Sequence, residues 1–198
     1  VGNIIEANAD SLDLKNPEIA DMHYDMGKLY FSDYEGSFKS RAVNAKNFFA
    51  KAASDDAANF TKKEIAKCYD SICNFMTNQS TTSEHSLDDY TAIFQEIEAA
   101  MQTVDKATDN EANYDKISLY YIAMLLVNDQ AEYMAGVGFE RQTALELMAD
   151  LEDKSNGITS TLSYVNDLKD KIDSSYDSFV SNINAKYDEV EKRKQGGN

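Results

Sequence analysis

The sequence predicts an all-α protein, and three observations predict it. Glycine and proline together make up only 9 of 198 residues, too few for the tight turns of a β-sandwich or barrel. Apolar residues recur at steps of three and four over long stretches, while the alternation of half-buried strands is essentially missing. Helix-start signals open several of these stretches. A 42% hydrophobic share, with 12 tyrosines and 9 phenylalanines, argues against wholesale disorder.

The elements follow in order. Residues 1–15, with Ile4, Ile5, Leu12 and Leu14, read as a short leading helix or a packed strap. Asn16-Pro17 is an N-cap followed by proline at the first helical position. It opens α1, expected over 17–31, with Ile19, Met22, His23, Met26, Leu29 and Tyr30 as its apolar stripe. Residues 33–40, with Gly36, read as a loop. Helix α2 starts at Phe38 or Arg41 and ends near Ala53, presenting Ala42, Ala45, Phe48, Phe49 and Ala52. Thr61 to Glu64 is a capping box that opens α3, with Ile65, Cys68, Tyr69, Ile72, Cys73 and Met76.

After the polar stretch 78–83, Ser86 with Asp89 opens α4, whose face is Tyr90, Ile93, Phe94, Ile97, Ala100, Met101 and Val104. Thr108 to Glu111 is a second capping box and opens α5, which Gly136 and Gly138 end. Leu119 to Val127 is apolar all round, so α5 should lie in the middle of the core. Helix α6 is expected over 139–152, stopping at Asn156-Gly157. Helix α7, expected over 158–194, carries one stripe from Ile158 to Val190. That stripe either covers an open side of a bundle or pairs with another chain. The whole reads as one domain: hairpins over 17–53, 61–105 and 109–153, then a long terminal helix.

Acids outnumber bases 35 to 19, a formal charge of −16. Such a chain repels nucleic-acid phosphate and anionic lipid surfaces. No apolar run approaches the roughly 20 residues of a membrane span, so direct membrane insertion is not expected. Val1-Gly2-Asn3-Ile4 is not a signal peptide, and Gln195-Gly196-Gly197-Asn198 resembles a cut linker. The chain therefore reads as a processed protein or a piece of a longer one, of unassigned compartment. Cys68 and Cys73 point about 140° apart on one helix and cannot bridge. They read as small buried residues.

Signals for chemistry are missing. Neither histidine lies in an HExxH or ExxH pattern. His23 falls on the apolar face of α1 and reads as a packed side chain; His85 reads as solvated. Residues 105–111 lack the glycine and final glutamate of a calcium loop. The serines lack GxSxG or SxxK contexts. No metal, cofactor or catalytic residue is assigned, and the chain is expected not to be an enzyme.

One pattern carries family information. In α1, His23, Met26, Gly27 and Tyr30 stand as a bulky residue, a large apolar one, a small one and an aromatic. In α2, Ala45, Phe49 and Ala52 stand as small, aromatic, small. This pair resembles a tetratricopeptide repeat whose turn is six residues longer than usual and whose first position holds histidine. Small residues let two helices approach and aromatics fill the groove between them, so Gly27 should pack on α2 near Ala45 or Phe49. The likeness weakens in later hairpins, and Tyr69 to Tyr121 far exceeds the family's 34-residue period. An unrelated antiparallel bundle remains the alternative. The wording of residues 18–52, EIADMHYDMGKLYF and then AKNFFAKA, is also similar to helical-repeat regions of Gram-positive membrane-bound serine/threonine kinases. No kinase motif is present. The likeness would make this chain a sensory or docking part of such a protein.

The repeat resemblance implies a non-enzymatic module that binds a protein or peptide in a groove lined by the first helix of each pair. On its pattern the groove residues are Asp21, Tyr24, Lys28 and Phe31 of α1, with Lys67, Asp70, Asn74 and Thr77 of α3. Tyr24 and Phe31 would be exposed aromatic anchors. The alternative is a structural or homodimeric protein that uses α7 as a coiled coil.

Overall fold

A computed structural model describes residues 15–32, 34–57, 61–78, 85–107 and 110–196. Among these the chain is all-helical, with seven α-helices and no strand. They are α1 (Pro17–Ser32), α2 (Phe38–Ala53), α3 (Lys63–Asn78), α4 (Leu87–Asp105), α5 (Asn110–Val137), α6 (Arg141–Asn156) and α7 (Ser163–Gly196). A 3₁₀ turn, Asp55–Ala57, follows α2. The leading segment 1–14 and the Thr108 end of the second capping box lie outside the described residues. Most helix ends lie within a few residues of their expected places. Helix α7 starts at Ser163, five residues later than expected.

The chain divides into two compact units, Val1–Gln79 and Ser80–Asn198. Helices α3 and α4, grouped by sequence as one hairpin over 61–105, therefore belong to different units.

In the first unit α2 packs against both α1 and α3. Gly27 is the point of closest approach. A Cβ at this position would stand 2.6 Å from the Phe49 ring, so only glycine fits the seam as it stands. Around it Phe49 stacks on Tyr69 with ring centroids 4.7 Å apart, and Tyr24 and Phe31 close the cluster from α1. The Cys68 and Cys73 side chains are both buried.

In the second unit α5 packs against α4, α6 and α7. Every residue from Leu119 to Val127 is buried, as an all-apolar run in a central helix requires. Much of the α7 stripe is covered within the unit, with Val165, Leu168, Ile172, Ile183, Tyr187 and Val190 buried against α5 and α6 and Tyr176 and Phe179 half-buried. Polar anchors hold it in register. Arg141 of α6 pairs with Asp188 at 2.7 Å and Glu191 at 3.0 Å, and the Asn182 amide donates to Asn128 of α5.

Candidate functional site

Three of the eight residues expected to line a groove are buried within the first unit. Tyr24 and Phe31 are fully buried, and Lys28 is 1% exposed. Tyr24 and Phe31 pack on Phe49 and Tyr69. The Lys28 ammonium lies 4.3 Å from the Tyr24 ring centroid and pairs with Asp25 at 3.0 Å. The physical reason is angular. Residues three before and four after Gly27 lie within about 60° of it on a helix. Once Gly27 meets Phe49, Tyr24 and Phe31 must turn inward too. Met22, Met26 and Leu29 of the expected stripe are rotated outward correspondingly, Leu29 to 45% exposure, while His23 stays buried.

The remaining five are half-buried or exposed. Asp21 pairs with Lys62 at 3.1 Å, and Lys67 with Glu64 at 2.7 Å. Asp70, Asn74 and Thr77 form a polar cluster with Lys46 of α2. The Asn74 amide donates to Asp70, and Lys46 donates to the Thr77 hydroxyl at 3.2 Å. Burial pushes the Asp70 carboxyl above its ordinary range, with Lys46 and Asn74 opposing. His23 is fully buried, its ring centroid 6.0 Å from that of Phe48. Neither ring nitrogen has a hydrogen-bond partner among the described residues. Burial, then the charge of Lys51, holds it below the usual histidine value. Among the described residues no three His, Cys, Asp or Glu side chains converge as a metal site needs. No described helix is long and apolar enough to cross a membrane.

A different site stands in the second unit. Helices α4 and α6 flank an open cavity of about 420 Å³. Its apolar wall is built from Phe94 and Met101 of α4, Leu147 of α6, and Phe139 from the turn between α5 and α6. Thr91, Gln95, Glu98, Thr143, Asp150 and Lys154 form the edges.

Local sequence accounts for each wall. Ser86 caps α4, its hydroxyl accepting from the Asp89 amide while the Asp89 carboxylate accepts from the Ser86 amide. The Ser86 amide and hydroxyl, both donating to the Asp89 carboxylate, hold that carboxyl below its ordinary range. Further along, steps of three and four bring Thr91, Phe94, Glu98 and Met101 to one edge of the helix. Gly138 places Phe139. Its φ of +85° ends α5 in the left-handed region, with Phe139 donating to the Met134 carbonyl and Gly138 to that of Ala135. The chain then turns the Phe139 ring onto Phe94, centroids 5.4 Å apart.

Helix α4 is pinned to α5 near both ends. The buried Tyr90 hydroxyl donates to Gln130 at 2.7 Å, and the Tyr120 hydroxyl donates to Asp105 at 2.9 Å. Burial, the Asp105 bond, and the charges of Asp105 and Asp150 push the Tyr120 hydroxyl well above its usual value.

Sequence reasoning placed Phe94 and Met101 on the apolar face of α4 but did not single out the groove. The available signal was width. The α4 stripe holds both Ile93 and Phe94, and both Ala100 and Met101, more than contact with one neighbouring helix uses. No protein-family model, curated protein or solved structure matches this chain.

Proposed function

We propose that this chain is a non-enzymatic docking module that binds a protein or peptide, as the repeat resemblance implied, and that the docking surface is the α4/α6 groove. The kinase likeness of residues 18–52 extends this reading to a sensory or docking part of a larger protein. One observation carries the choice of surface: apolar side chains of two helices and a turn face a common open cavity on a scaffold tied down by Tyr90–Gln130 and Asp105–Tyr120. Grooves between helices are common ligand sites, and pre-formed ones bind without the cost of ordering their walls.

Peptide display against the whole chain tests this. Enriched peptides should compete with one another and lose binding to the Phe94→Ala/Leu147→Ala variant. Both side chains are only partly buried, so the variant should keep a cooperative melt. Equal binding to parent and variant, or no enrichment, would contradict the proposal.

A further inference from the structure

We propose that the α4/α6 groove takes a cationic amphipathic helix of about three turns, supplied by a partner protein. This occupant rests on the docking reading and names the partner's chemistry.

Length comes first. The groove runs from Thr91 to Met101 along α4 and from Thr143 to Lys154 along α6. At 1.5 Å per residue each wall is roughly 15 Å long, about three turns. Both walls present side chains at steps of three and four, so they interdigitate with the ridges of an incoming helix.

Backbone chemistry favours a helix over an extended peptide. The walls are helices whose amides and carbonyls are already bonded along their lengths. An extended peptide would find no backbone partners there, whereas a helix satisfies its own. The polar side chains sit at the rim and the wall between them is apolar. An apolar stripe flanked by polar positions matches that pattern better than a compact polar ligand.

Charge sets the sign. The second unit, Ser80–Asn198, carries 23 of the 35 acids and 10 of the 19 bases, so −13 of the formal −16 resides there. Helix α4 has Asp88, Asp89, Glu96, Glu98 and Asp105 and no Lys or Arg. Helix α6 has Glu146, Asp150, Glu152 and Asp153 against Arg141 and Lys154. Arg141 is paired to α7, and Lys154 to Asp150 at 3.1 Å. The rim itself holds Glu98 and the Asp150–Lys154 ion pair, so on this acidic unit cations along the edges of an apolar stripe meet a net negative rim, and anions there would be repelled.

Fluorescence anisotropy with the whole chain tests the proposal. The probe is a labelled synthetic helix with leucines at i, i+4, i+7 and i+11 and lysines flanking them. Two matched peptides carry glutamine or glutamate in place of lysine. The lysine peptide should bind, the glutamine peptide roughly tenfold more weakly, and the glutamate peptide not measurably. Glu98→Gln/Asp150→Asn should remove most of the lysine preference. Asp173→Asn/Asp177→Asn, on exposed positions of α7, should leave it intact. Phe94→Ala/Leu147→Ala should weaken every binding peptide roughly tenfold.

Equal affinity for lysine and glutamine peptides, lost in Phe94→Ala/Leu147→Ala, would overturn the cationic partner and leave the docking reading standing. Equal losses from the groove and α7 charge variants would show diffuse attraction and overturn the site. A neutral apolar fluorophore entering the cavity while all three peptides stay out would overturn both readings in favour of a small-molecule pocket.

Discussion

Gly27, Tyr24 and Phe31 show how far single residues constrain the first unit. The small residue of the repeat-like pattern does meet Phe49 as expected. That contact orients the rest of α1, and its consequence for Tyr24 and Phe31 was available from helix geometry alone. The stripe expectation failed because α1 carries apolar residues on two faces, and the larger set, Met22, Met26 and Leu29, is not the most deeply buried. Tyr24→Ala should therefore cost roughly 3–5 kcal/mol, the range for emptying a large buried aromatic site. Urea unfolding checks this; a loss under about 1 kcal/mol would place the ring at the surface. His23 gives a pH dependence. Its folded-state value lies below the ordinary 6.5, so at mildly acidic pH the unfolded chain binds more protons. Stability from this group is full above 6.5 and falls as the pH drops towards the folded-state value. His23→Met should flatten this part of the profile when unfolding midpoints are compared at about pH 7.5 and about pH 5.5. An unchanged slope would show that His23 does not contribute.

At the scale of elements, the packing seams explain which helices the sequence made legible. Helix α5 was readable because Leu119–Val127 has no polar face to expose. Helix α4 was readable at its start, where the Ser86–Asp89 box forms as expected. The α4/α6 groove was not readable, because a wide apolar stripe does not say which part of its width a neighbour covers. Two substitutions test the seams. Gly27→Ala sets a helix-propensity gain of about 1 kcal/mol against a Cβ 2.6 Å from a ring carbon. Phe49 is hemmed in by Tyr24, Phe31 and Tyr69, so it cannot swing away. Overpacking of roughly 1–3 kcal/mol should win, and chemical denaturation should show a net loss. Gly138→Ala puts a side chain at a φ of +85°. It should cost about 1 kcal/mol, shift Phe139, and weaken a groove ligand more than it lowers the melting temperature.

For the whole molecule, the sequence order of helices was legible but their grouping was not. Hairpin reasoning pairs each helix with its successor. The structure instead gives α3 to a unit in which α2 is the shared partner, and gathers α4, α6 and α7 around α5. Periodicity reports which face of a helix is apolar, not which helix covers it, so the boundary near residue 79 had no local signature strong enough to read. The stripe of α7 illustrates the same limit: two destinations fitted it, and within its own unit Val165, Leu168, Ile172, Ile183, Tyr187 and Val190 are buried while Tyr176 and Phe179 are half-buried. The most direct measurement of the docking account is hydrogen–deuterium exchange of the whole chain with and without the lysine-flanked helical peptide. The account predicts added protection concentrated in α4, in α6 and at Phe139, with α1 to α3 unchanged. Protection confined to α1 and α3, or spread evenly over the acidic surface, would contradict it.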